Sequence, residues 1–328
     1  MDFTPSPRVE ELKARITDFM DRHVYPAEPT IAAEIDLIRS GVPYPPSLVT
    51  IRRMAKAAGL WNLFLPDEKY GAGLKNWEYG MLAEIMGRSL AASSAFNCAA
   101  PDTGNMEILA EFGTPEQKKR WLEPLLEGDI RSCFSMTEPE VAGSDPTLLR
   151  TCAVRDGKHW VINGHKWFTS GAIGASVAIV MAVTNPDNAP HLRASMILVP
   201  TDAPGFNLIR PVPVMGHAGG GGHCEIRYED CRVPLENLLG PEGAGFMIAQ
   251  ARLGLGSWYD LARRYAERTG RSIAPLPYYQ ALGLFRLACI LEGSWARHVH
   301  GAADDPAFAA LGAGVPAMAR RARRLCGA

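Results

Sequence analysis

EGDIRSCFSMTEPEVAGSDPTLLRTCAVRDGKHWVING, residues 127–164, is the stretch whose reading decides the fold class. Before it, apolar residues recur every three or four positions. Near Ser132 that period gives way to short runs with the alternation of strands. TCAVRDGKHWVING (151–164) reads as a hairpin turning at Asp156-Gly157, a turn pair between β-branched and aromatic residues.

Working upstream, residues 8 to about 128 read as helical. VEELKARITDFMDRHV puts Val9, Leu12, Ile16, Phe19 and Met20 at helical spacing, and SLVTIRRMAKAAGL repeats the pattern with Gly59 as its C-cap. YGMLAEIMGRSLAA, MEILAEFG and PEQKKRWLEPLLEG follow. Thr114-Pro115 opens the last of these, with Thr as N-cap and Pro at the first helical position. Downstream, SVAIVMAV, ASMILVP, FNLIRPV and CEIRYEDCRV read as strands of a small barrel or sandwich. From Gly243 the chain is helical again, from GAGFMIAQARLG through WYDLARRYAERTG and YYQALGLFRLACILEGSWARHVHG to VPAMARRARRL. The prediction is an α+β chain: an amino-terminal helical domain (1–131), a middle β-barrel or sandwich domain (132–240), a helix start (241–254) and a helical tail (255–328).

A chain of 328 residues, 47% hydrophobic and 21% charged, has material for two or three domains with buried cores. Its net charge of -1 gives no global pull toward nucleic acid or an anionic membrane, so neither partner is expected. The arginines of MARRARRL, 318–325, read as a solvated helix face. Seven cysteines, an odd number without C-x-x-C spacing, fit reduced thiols better than a disulfide scaffold or zinc ribbon. The polar start MDFTPSPRVEELKARI is not a signal peptide, and no apolar run approaches the roughly 20 residues of a membrane span. A soluble cytoplasmic protein is the expectation.

Few residues announce chemistry by themselves. In SMTEPEVAGSD (135–145), Gly143 permits close backbone approach, and Thr137 and Ser144 can donate hydrogen bonds to a ligand. An ordinary capped interdomain turn has the same composition. KWFTSG (166–171) sets an aromatic beside two hydroxyls, where it could stack on a ring cofactor; a core aromatic is the plainer reading. HAGGGGHC (217–224) lacks the Gly-Lys-Ser/Thr ending of a phosphate loop and precedes a strand, so it reads as a flexible surface loop. His217 and His223 have no further ligand set nearby, and His298 and His300 point to different sides of a helix, so no metal site is predicted. Asp304-Asp305 before Pro306 reads as the start of a helix.

Together, several ordered motifs resemble the acyl-CoA dehydrogenase family. They are GLWNLFLPDEKYGAG (59–73), FNCAAPDTGNMEIL (96–109), FSMTEPEVAGSDP (134–146), WVINGHKWFTSGA (160–172) and VPLENLLGPEGAGFMIAQARLG (233–254). The second and third are similar to a subgroup often encoded beside an aminoglycoside-phosphotransferase-like kinase. The resemblance covers residues 1 to about 254 and implies FAD as cofactor and an acyl-CoA thioester as substrate. It places Phe134, Met136 and Thr137 on the flavin's pyrimidine side, with the Thr137 hydroxyl as a donor. It sets Gly143 and Ser144 against flavin or acyl-CoA. Phe168 takes the stacking position where the family usually has Trp, and Ser170 reaches the flavin N5 edge. Arg252 lies near the family's CoA-binding arginine region. In the implied reaction a carboxylate removes the α-proton while a hydride leaves the β-carbon for the flavin. Hydrogen bonds to the thioester oxygen in a dry cavity stabilise the developing charge.

After about Gly254 the family pattern stops. Members continue into a helix bundle that supplies the catalytic carboxylate, a thioester-polarising N–H and adenine contacts across a subunit interface. Here GSWYDLARRYAERTGR and the helices after it instead resemble the last helices of an aminoglycoside-phosphotransferase-like kinase, over about 256–325. No Gly-rich nucleotide loop, strand lysine or H-G-D-x-x-x-x-N loop accompanies them. Glu267 and Glu292 are the tail's best-placed carboxylates and read as exposed helix charges. The pattern predicts an in-frame joining of two neighbouring genes, with the oligomerising bundle missing and the catalytic residue unknown. An oxidoreductase and a non-catalytic remnant that binds flavin or acyl-CoA weakly are the competing function classes, with a phosphotransferase a distant third. Acyl chain length is not legible, and the kinase-neighbour subgroup hints at hydroxy- or phospho-acyl-CoA only by analogy.

Overall fold

The computed structural model describes residues 4–40, 44–214 and 221–252. Residues 1–254 form one compact unit. The readings that concern the tail helices, Glu267, Glu292, His298, His300, Asp304-Asp305 and the arginine cluster all lie outside the described residues, as does His217.

The helical part opens at Ser6, whose hydroxyl caps Val9 N–H, with Pro7 at the first helical position. α1 (Pro7–Phe19) passes through a π-helical turn, Met20–Val24, into α2 (Tyr25–Glu34). α3 (Pro46–Ala57), α4 (Asn76–Met86), α5 (Ala92–Ala95) and α6 (Asp102–Phe112) follow. α7 (Pro115–Gln117) continues through a second π-helical turn, Lys118–Leu122, into α8 (Glu123–Glu127). The predicted start at Thr114-Pro115 is a full capping box. Gln117 N–H donates to Thr114 Oγ1 at 3.2 Å, and Thr114 N–H donates to Gln117 Oε1 at 3.1 Å. The Gln117 amide also donates to the carbonyls of Glu236 and Leu238, at 2.7 and 2.9 Å, which fastens this helix to the end of the β-region.

The change of period at Ser132 is the start of β1 (Ser132–Ser135). β2 (Cys152–Asp156) and β3 (His159–Ser170) form the expected hairpin, with Asp156 opposite His159 and Gly157-Lys158 as its loop. Gly157 has φ 60°, a value glycine adopts without steric cost. β4 (Val177–Val183), β5 (Ala194–Pro200), β6 (Phe206–Pro211), β7 (His223–Pro234) and β8 (Leu238–Leu239) complete the strands, and α9 (Gly245–Arg252) follows.

The sequence reading left a barrel or a sandwich open. The strands form one eight-stranded mixed sheet, in the order β6-β7-β3-β2-β4-β5-β8, with β1 added parallel to β4. The short β-rich runs could not distinguish these arrangements, because strand order is set by pairings distant in sequence.

β4 and β5 are apolar at nearly every position because both faces are covered. Val177, Ile179 and Met181, with Met196 and Leu198, join the core of the helices. Their alternate neighbours Ala178, Val180 and Ala182, with Ile197 and Val199, join a second core. Trp160, Ile162, Ile226, Tyr228 and Val233 from β3 and β7 belong to that second core. β1, beside β4, also lies against β3.

Candidate functional site

The residues after β1 run along the end of β3. Trp167 N–H donates to the Thr137 carbonyl at 3.1 Å, and the Thr137 hydroxyl donates to the Trp167 carbonyl at 2.8 Å. Beneath this pair, Ser135 Oγ and Thr169 Oγ1 are 3.2 Å apart, and the Tyr228 hydroxyl donates to Ser135 Oγ at 3.1 Å. A buried ion pair closes the junction. Lys166 Nζ donates to Glu138 Oε1 at 2.8 Å and to the Met136 carbonyl at 2.7 Å. Glu138 also accepts from the backbone N–H groups of Arg150 and Thr151, at 2.7 and 2.9 Å. Burial brings the Lys166 ammonium down to about 8, against the pull of Glu138. Burial works against the Glu138 carboxylate too, but Lys166 and the hydrogen bonds outweigh it and hold it below the usual glutamate range.

β3 carries an extra residue here. Lys166 faces Ile226 on β7, yet Thr169 faces Cys224, so three steps on β3 match two on β7. Lys166 and Thr169 point inward and are fully buried, while Phe168 is turned out, 42% exposed, at φ 49°. Its ring lies 4.5 Å from that of Trp167 between centroids. The plainer sequence reading, a core aromatic, is corrected by this bulge. Positive φ is costly for a bulky residue, so the outward ring is held there by the pairing on either side.

The loop after Glu138 folds back on Thr137. A Cβ at Gly143 would sit 3.2 Å from Thr137 Cγ2, tighter than ordinary contact, so a side chain there would make Thr137 give by a few tenths of an ångström. Ser144, next in the chain, is exposed. At the end of β3, Ser170 stands opposite His223, the first residue of β7. Ser170 Oγ and His223 Nδ1 share a hydrogen bond of 2.7 Å.

On the helical side, the Arg252 guanidinium lies over the Phe134 ring, 4.0 Å from its centroid. Arg252 Nε donates to Asn105 Oδ1 at 2.9 Å, and the Asn105 amide donates to Ser132 Oγ at 2.9 Å. Ser132 in turn donates its N–H and hydroxyl to Asp102 Oδ1, at 2.7 and 2.6 Å. Burial pushes the Asp102 and Glu107 carboxyls above their ordinary values and brings Arg252 down to about 10.

Comparison with known proteins fits this geometry. Residues 6–129 match the acyl-CoA dehydrogenase N-terminal domain, and residues 133–231 match the acyl-CoA dehydrogenase middle domain. The chain is also 38% identical to a candidate acyl-CoA dehydrogenase of known structure from Mycobacterium abscessus. That match has a TM-score of 0.72 and covers 98% of this chain and 88% of that one.

The chain belongs to the acyl-CoA dehydrogenase family.

Among curated relatives, it is 52% identical over 270 residues to the "Probable acyl-CoA dehydrogenase FadE2" of Mycobacterium tuberculosis, covering 80% of this chain and 65% of that protein. It is 48% identical over 273 residues to acyl-CoA dehydrogenase family member 10 of Mus musculus, covering 80% of this chain and 25% of that protein. The chain thus spans less than two thirds of either relative's length.

Within this family member, the structure draws two of the predicted segments together, Met136 to Ser144 and Trp167 to Ser170. It sets Phe134 and Arg252 against each other on the helical side. The Thr137 hydroxyl spends its proton on the Trp167 carbonyl, so toward a ligand it offers a lone pair where the sequence suggested a donor. Arg252 commits its Nε to Asn105 and its guanidinium face to the Phe134 ring. Three residues escaped sequence reading: Lys166, Glu138 and His223. A lysine and a glutamate inside strand-like runs read as solvent-facing, and His223 reads as part of a glycine-rich loop. The signal that finds His223 is the pairing of β3 with β7. Among the described residues, no three His, Cys, Asp or Glu side chains gather where they could hold a metal ion. No described helix is long and apolar enough to cross a membrane.

Proposed function

We propose that the edge formed by Thr137, Gly143, Phe168 and Ser170 binds FAD, with Phe134 and Met136 on the flavin's pyrimidine side. The observation that carries this reading is the outward Phe168 ring at positive φ, beside half-buried hydroxyls and a glycine pressed on Thr137. An exposed aromatic face in a costly backbone conformation fits a platform for a flat ring system. Phe keeps that face but lacks the indole area and N–H of Trp. Gly143 lets its loop lie close against Thr137, and Ser144 offers an exposed hydroxyl to flavin or acyl-CoA. Ser170 stands at the flavin's N5 edge.

FAD, when bound, supplies the hydride acceptor for α,β-dehydrogenation of an acyl-CoA thioester. The protein's part is orientation, exclusion of water and removal of the α-proton by a carboxylate. We read the sequence after Gly254 as resembling a kinase tail and not the bundle to which the family assigns that carboxylate. We therefore read this chain as a dehydrogenase-family flavin binder with little or no dehydrogenase turnover. Its FAD is held weakly, because the adenine-side contacts belong to that bundle. The second reading, a non-catalytic remnant of a gene fusion, rests on the same departure at Gly254. A phosphotransferase lacks its catalytic loop and is set aside.

An artificial-acceptor assay of the full chain, with added FAD and a panel of acyl-CoA thioesters, tests the reading. Turnover in the usual enzymatic range of roughly 1–10³ s⁻¹ overturns the inactive reading and leaves the FAD site standing. In that event Glu267→Gln and Glu292→Gln locate the base.

A further inference from the structure

Resting on that FAD reading, we propose that His223 is a positioning residue for the flavin: it sets which way the Ser170 hydroxyl proton points. Ser170 and His223 are cross-strand partners at the last register position of β3 and β7, and their side chains share a 2.7 Å hydrogen bond. The strands are fixed at this point by the backbone. Gly171 N–H donates to the Gly222 carbonyl at 2.8 Å, and Ile173 N–H donates to the Gly221 carbonyl at 3.0 Å. Both side chains are half-buried, so the pair is held in one geometry while one side stays accessible.

Ser170 carries one proton and has two acceptors for it within the chain, His223 Nδ1 at 2.7 Å and the Phe168 carbonyl at 3.4 Å. An imidazole with Nδ1 unprotonated accepts that proton, and a Ser170 lone pair is then left for the ligand. An imidazole with Nδ1–H donates to Oγ, and the hydroxyl proton is then free to be donated to the ligand. The N5 edge of oxidised flavin accepts a hydrogen bond, and that of reduced flavin carries N–H. The two arrangements of the Ser170–His223 pair therefore suit the two redox states, and His223 decides their balance without touching the flavin.

The test is a double-mutant cycle on the full chain with Ser170→Ala and His223→Ala. The readout is the ratio of affinities for oxidised and reduced FAD, taken from fluorescence titration and from anaerobic titration after reduction. His223→Ala is expected to change that ratio about three- to ten-fold with Ser170 present, the worth of one hydrogen bond, and less than two-fold in the Ser170→Ala background. His223→Gln, which keeps a hydrogen-bonding group of similar reach, is expected to restore part of the change. It also stands in should the alanine variant fail to fold. Equal changes in both backgrounds, or an unchanged ratio in a folded His223→Ala or His223→Gln chain that binds FAD, overturn the role given to His223. A parent chain that binds no FAD overturns the FAD reading instead, and this inference with it.

Discussion

Lys166 and Glu138 form an ion pair 2.8 Å long in which neither side chain is more than 1% exposed. The pair ties the segment after β1 to β3, since Lys166 also holds the Met136 carbonyl and Glu138 also holds two backbone N–H groups. Breaking a buried pair leaves an uncompensated charge, at a cost of about 3–5 kcal/mol. Glu138→Leu and Lys166→Met are each expected to lose stability on that scale, and the double variant less than their sum. Denaturant unfolding of the three variants checks this.

The same pair sets an acid limit. The native Glu138 carboxyl is held below its unfolded value, so the unfolded chain takes up that proton first as pH falls. The stability it adds is fully present above the ordinary glutamate range and is lost as pH drops through the lowered native value. Unfolding free energy followed from neutral to acid pH is expected to fall less steeply in Glu138→Gln than in the parent.

Phe168 separates ligand binding from folding. Its ring is 42% exposed at positive φ. Phe168→Gly removes the ring together with the backbone strain, so stability is expected to stay within about 1 kcal/mol of the parent. FAD affinity is expected to fall about 2- to 12-fold, from the worth of an aromatic contact at about 0.5–1.5 kcal/mol. Paired thermal melts and flavin titrations check the two halves.

Gly143→Val adds atoms where a Cβ already comes within 3.2 Å of Thr137 Cγ2. Overpacking costs about 1–3 kcal/mol in well-packed surroundings. The loop is exposed, so it is expected to move instead of unfolding the chain, with Tm nearly unchanged and FAD affinity reduced at least five-fold.

Much of this fold is legible residue by residue. The Thr114-Pro115 start, the Gly157 turn and the apolar runs of β4 and β5 are local patterns, and local hydrogen bonding and side-chain alternation produce them. What the sequence hides is long-range. Where β1 joins the sheet depends on its pairing with β4, about 45 positions away by their register. Ser170 meets His223 across 53 positions, through a sheet pairing that neither local pattern encodes. The bulge that exposes Phe168 is a one-residue mismatch between two strands and has no mark in KWFTSG alone. Lys166 is hidden because lysine almost always faces water, unless a partner such as Glu138 waits inside.

The proposed seat of FAD against Phe168 and Gly143 is tested by a titration of the full chain with FAD. The expected result is one saturable site, weak enough to empty on dialysis, with lower affinity in both Phe168→Gly and Gly143→Val and no matching site for NAD. An absence of saturable FAD binding, or the same affinity in the parent and both variants, would contradict it.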